Sequence, residues 1–168
     1  MRHWALLVLP LLAACGAGAG GTYVLSDATE SIGVGGLPIP PLAQQETHTG
    51  FALLLNAERD GARVTRVTED SRLTAAARAH AQDMVDKNYL SHVAQNGTTV
   101  GDRALAVGYD WNFIAENIAR GYRTNAEVVD AWMKSPSHAV NMVDPRAEDF
   151  GLGRVNNTWV LMLGREFK

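Results

Sequence analysis

Beyond residue 46 the hydrophobic positions recur first with helical and then with strand periodicity. The stretch "GFALLLNAERDG" places Phe51, Leu54, Leu55 and Glu58 at helical spacing, which predicts a first helix from Thr47 to Gly61. A second is predicted after Asp70, a residue suited to an N-cap. Leu73, Ala76, Ala77, His80, Ala81, Met84 and Val85 then follow the i, i+3, i+4, i+7 pattern of one buried face. His80 lies on that face and reads as a packed core histidine with one hydrogen-bonded nitrogen. "TVGDRALAVG" predicts a third helix ended by Gly108. "WNFIAENIARG" is short, with Phe113, Ile114 and Ile118 around Glu116, and reads as a strand or an irregular segment. A fourth helix opens on a capping box, Thr124 to Glu127, and turns Val128, Val129, Trp132 and Met133 inward. A short helix restarts after Pro136. "FGLGRV" and "TWVLMLGREF" then flank Asn156-Asn157, which predicts a β-hairpin. Helices precede strands, so the fold class is α+β, with helices on a small antiparallel sheet.

The start of the chain follows a different pattern. "MRHWALLVLPLLAAC" has a basic residue, an apolar run too short to cross a bilayer, and small residues. Residues 1–14 read as a signal peptide. Residues 12–15, Leu-Ala-Ala-Cys, look like a bacterial lipobox, which implies cleavage before Cys15 and its acylation. The alternative is a plain signal peptide with an incidental cysteine. An acylated Cys15 makes the membrane a partner, since each buried methylene contributes about 0.8 kcal/mol. Gly16 is not the aspartate that marks inner-membrane retention, so a Gram-negative source would imply the outer membrane. Residues 15–46 are rich in Gly and then Pro and show no helical period. They read as a tether, leaving 47–168 as the folded domain.

Composition narrows the function classes. The chain has 168 residues, enough for one domain, and 46% are hydrophobic. Its net charge of -3 argues against nucleic acid as a partner. With one cysteine no intramolecular disulfide forms, so packing alone holds the domain. A monomer is expected.

Two histidines, His92 and His138, stand where helical stretches stop, and Glu116 lies between them in an apolar segment. Such a glutamate is rarely buried unless it is paired. Imidazoles with a carboxylate suit zinc or another divalent metal, and equally proton transfer near neutral pH. The separations, 24 and 22 residues, fix no common helix face, so separate surface or capping roles stay open. Ser91, Ser135 and Ser137 adjoin the histidines, and a Ser-His-Glu hydrolase can be drawn without a G-x-S-x-G elbow.

The blocks "LLNAERDGARV", "SRLTAAARAHAQDMV", "LSHVAQNGTT", "GDRALAVGY", "AENIARGY", "VVDAWMKSPSHAVNMVDPRAEDFGLG" and "WVLMLGREF" resemble, in order, those of a bacterial CAP domain, the SCP or cysteine-rich secretory protein superfamily. The resemblance covers residues 50–167. It implies a three-layer α-β-α sandwich with a central antiparallel sheet and a cleft bearing two histidines and two glutamates, which in some members binds a divalent metal. His92, Glu116 and His138 match three of those four residues. The second glutamate lies three residues after the helix tryptophan, and here Ser135 stands there after Trp132. Glu127 is a poor substitute because the capping box claims it. Three ligands therefore remain for zinc or a similar metal.

The resemblance leaves three functions open. The first is a binding module whose cleft (His92, Glu116, His138, Ser135) holds a small apolar ligand such as a lipid, or a peptide. The second is a structural adaptor with a vestigial cleft. The third is a hydrolase, metal-dependent or His/Glu-assisted, with Glu116 taking a proton from a water held by His92 and His138. They are ranked in that order, because a fold by itself supplies no activity.

Overall fold

The computed structural model describes residues 42–168, with side chains from His48 onward. The expected leader, Cys15 and the tether as far as residue 41 lie outside the described residues. The elements run α1 (Leu42–Gly61), β1 (Thr68–Glu69), α2 (Ser71–Asp86), α3 (Val100–Ala106), β2 (Trp111–Arg120), α4 (Asn125–Met133), α5 (Pro136–Met142), β3 (Asp149–Val155) and β4 (Thr158–Glu166).

Most of these follow from local chemistry. Asp70 caps α2 by accepting from the N–H groups of Arg72 and Leu73. Thr99 with Asp102 and Thr124 with Glu127 form capping boxes on α3 and α4. Gly108, at φ 76°, ends the α3 turn in the left-handed region. Asn156, at φ 52°, turns the β3–β4 hairpin.

Three elements depart from expectation. Helix α1 starts at Leu42 rather than Thr47, so residues 42–46 belong to it and not to the tether. Leu-Ala-Gln-Gln-Glu are strong helix formers directly after Pro41. The ambiguous segment around Glu116 is a ten-residue strand, β2. The sheet is also not wholly antiparallel. Its order is β1-β3-β4-β2, and the two-residue β1 pairs parallel with β3 at one edge. Two residues are too few to show a period in sequence.

Side-chain alternation along β4 builds the layers. Trp159, Leu161 and Leu163 pack with Phe51 and Leu55 of α1, Val128, Val129 and Trp132 of α4, and Met142 of α5. Val160 and Met162 face the other way, onto Leu73, Ala77 and Met84 of α2 and Ala104 of α3. The result is the expected α-β-α arrangement. Arg59, fully buried on α1, ties the first layer together by donating to the carbonyls of Thr65, Met142, Asp144 and Ala147 at 2.7–3.2 Å.

Helix α2 lies directly on β3. A Cβ on Gly151 would come within 2.1 Å of the Leu73 carbonyl carbon, and one on Gly153 within 2.3 Å of the Ala77 carbonyl carbon. The alanines of α2 and these glycines permit that approach. His80, on the same helix face, is buried as expected, and its Nε2 donates to the Ser91 carbonyl at 2.9 Å. Burial, followed by the charge of Arg103, holds the His80 pKa below its ordinary value.

Two outcomes follow from this packing. Gly151→Ala should lower the unfolding free energy by about 1–3 kcal/mol in urea titration, because the obstructing atoms are backbone. Unchanged stability would mean that α2 does not sit this close. His80, depressed in the folded state, favours the neutral ring and adds stability above its unfolded pKa of about 6.5, which is lost as pH falls below that value. The acid-side loss between about pH 7 and pH 5 should therefore be shallower in His80→Gln. Parallel stability curves for the two proteins would count against this.

Candidate functional site

Strand β2 is the edge opposite β1, and alternation sends Glu116 to the α2–α3 face and Asn117 to the α5 face. The candidate site forms around this edge, between residues 87–98 on one side and α5 on the other.

The loop that carries His92 is pinned from below. His80 holds the Ser91 carbonyl, and Arg103 of α3 donates to the carbonyls of His92 and Thr98, each at 3.0 Å. Ala94 accepts from Gly97 and donates to Thr98, closing a tight turn in which Gly97 takes φ 88°. The Glu116 side chain is 2% exposed, yet neither oxygen lacks a partner. Oε2 accepts from Arg103 Nη2 at 2.7 Å, and Oε1 meets His92 Nδ1 at 2.9 Å. With the carboxylate as acceptor, Nδ1 carries the His92 proton, and Nε2 has no partner among the described residues. The His92 side chain remains 54% exposed.

His138 approaches from α5. Its carbonyl accepts from Asn117 Nδ2 at 3.1 Å, and Asn117 Oδ1 accepts from Asn141 Nδ2 at 2.9 Å. Asn141 also reaches the Glu116 carbonyl at 3.4 Å. His138 Nδ1 lies 2.8 Å from Ser135 Oγ. Burial first, and the nearby His92 second, hold the His138 pKa below its ordinary value. The two imidazoles, Glu116 and Ser135 thus belong to one neighbourhood spanning the edge of β2.

The residues fit the three-ligand metal set poorly. Arg103 already supplies the positive charge that Glu116 needs, and both carboxylate oxygens are engaged. Among the described residues no group of three His, Cys, Asp or Glu side chains is gathered to hold a metal. In this arrangement His92, Glu116 and His138 are not gathered as a three-ligand set, and the Glu116 carboxylate holds Arg103 and His92. Asp149, by contrast, is raised by burial and accepts from Tyr109 Oη at 2.8 Å. Open cavities among the described residues lie elsewhere. One of about 270 Å³ lies beside Asn88, Arg120 and Asn156, and another of about 760 Å³ runs along α4 at Arg123, Glu127 and Lys134.

Arg103, Asn117 and Asn141 were not among the expected site residues. Arg103 reads as an ordinary polar position of an amphipathic helix, and no local spacing links it to Glu116. The one available signal was the improbability of an unpaired buried glutamate, which calls for a cation without saying which.

Known proteins share this architecture. An extracellular SCP-domain protein of Bacillus anthracis superposes with a TM-score of 0.68 at 21% identity, covering 78% of this chain and 45% of that one. An outer surface protein of Borrelia burgdorferi gives 0.67 at 20% identity, covering 74% and 96%. In sequence, protein YkwD of Bacillus subtilis is 38% identical over 104 residues, 62% of this chain and 40% of its own length. The membrane protein YlbC of the same organism is 29% identical over 84 residues, 50% and 24%. The chain thus spans less than half the length of these curated relatives. The profile of the cysteine-rich secretory protein family matches residues 53–162, and the chain belongs to this CAP family.

Proposed function

We propose that this protein is an envelope-held binding module whose site at the β2 edge seats a small apolar molecule bearing a hydrogen-bonding group. The observation that carries the reading is the pairing of two imidazoles over a neutralised floor. His92 and His138 each engage Nδ1 inside the protein and leave Nε2 without a protein partner among the described residues. Glu116 and Arg103 cancel one another beneath them. Leu90 and Val93 flank His92 along the chain and Val140 lies on α5 with His138, and all three are exposed apolar side chains. Apolar contact with a few polar anchors suits a small ligand better than an ion. The outward location rests on the leader pattern, the Cys15 lipobox, and similarity to proteins described as extracellular or outer-surface.

The seat is tested with the apolar dye Nile red on the full chain carrying Cys15→Ser in detergent-free buffer. His92→Ala/His138→Ala should weaken binding about tenfold or more, the equivalent of one lost hydrogen bond or so. Equal binding by both proteins would remove the reading and leave the adaptor. The anchor has its own measurement. Protein extracted from its native envelope should begin at Cys15 with the mass of attached acyl chains, and an unmodified start elsewhere would exclude lipidation.

A further inference from the structure

The four helix starts with an assigned N-cap between α2 and α5 do not use their cap side chains alike. Asp70, Thr99 and Thr124 each accept from a first-turn N–H. Ser135, the N-cap of α5, makes no such bond. The His138 N–H goes to the Ser135 carbonyl at 3.0 Å, while the Ser135 hydroxyl sits 2.8 Å from His138 Nδ1. A serine at this position ordinarily stabilises its helix by capping it. Departures from a local rule are found where a side chain serves another purpose.

The neighbouring serines are placed differently. Ser91 Oγ accepts from the Val93 N–H, and among the described residues Ser137 Oγ reaches Ser135 Oγ, at 3.3 Å. His138 is itself fixed, because Asn117 holds its carbonyl and Asn141 holds Asn117. Among the described serines, Ser135 combines a hydroxyl, a partly exposed setting and an imidazole nitrogen within proton-transfer distance.

We propose that Ser135 is a nucleophile with His138 as its base, and that its substrate is a small apolar ester. The substrate class rests on the reading of the site as an apolar seat. Ser135 Oγ attacks the ester carbonyl carbon as its proton passes to His138 Nδ1. The bond to the alcohol oxygen breaks, and the departing alcohol takes that proton. Water then cleaves the acyl-serine, giving its proton to His138 Nδ1 and its oxygen to the acid, and the proton returns to Ser135.

An alkyl fluorophosphonate tests the step on the full chain with Cys15→Ser. Oγ bonds to phosphorus, the P–F bond breaks, and fluoride leaves while the proton passes through His138 to solvent. Peptide mass mapping should place the adduct on Ser135. His138→Gln should slow labelling by about 100-fold or more, and Ser137→Ala should label at the wild-type rate. An adduct on Ser91 or Ser137, adducts spread over several serines, or none at all would overturn the proposal. So would unchanged labelling in a folded His138→Gln. If that variant does not fold, the wild-type map and Ser137→Ala decide. Nile red binding is read in parallel. Binding without labelling removes the nucleophile and keeps the seat, whereas labelling without binding keeps the nucleophile and removes the apolar substrate class.

Discussion

A carboxylate buried on the edge strand governs the arrangement around it. Glu116 has almost no contact with water, and an ionised group in that position is strongly unfavourable unless opposite charge reaches it. Arg103 meets the need from α3. The same guanidinium grips the carbonyls of His92 and Thr98, so neutralising one strand residue also dictates the path of the loop above it. Loss of one member of such a buried pair ordinarily costs about 3–5 kcal/mol, because the other charge is left alone. Glu116 is held for this reason, and its hold on His92 Nδ1 sets which imidazole nitrogen is free.

The sheet edge explains how distant segments of chain meet. An interior strand has neighbours on both sides and separates the helical layers. Strand β2 has a partner only in β4, so groups from the α2–α3 layer and from α5 can approach one another past its free side. Asn141 and Asn117 join α5 to that side through the Glu116 carbonyl and the His138 carbonyl. The Asn141 bond also occupies one backbone carbonyl of an edge that would otherwise offer it to another chain. The histidines come from opposite layers yet lie near enough for one to depress the pKa of the other.

Much of this was legible in the order of residues. The face of α2, the Thr124–Glu127 box and the Asn-turned hairpin depend on short-range periodicity and capping, which sequence carries directly. The neighbourhood of His92, Glu116 and His138 was legible only through motif resemblance, since their separations imply no shared face. Arg103, Asn117 and Asn141 escaped because their roles exist only after β2 has become an edge. Arg59 escaped likewise, being an arginine at a helix end whose carbonyl partners reach as far as Ala147. A buried glutamate calls for a charged partner, and Arg103 supplies one from within the chain.

The bare Cα atoms of Gly151 and Gly153 reach further than the strand they occupy. They let the axis of α2 settle against the sheet at a depth no side-chain-bearing residue would tolerate. His80 rides on that helix and holds the backbone immediately before His92. The height of an exposed imidazole above the sheet is thus inherited from two missing methyl groups beneath the helix, and a change there would be felt at the rim as a shift in where the ring is presented.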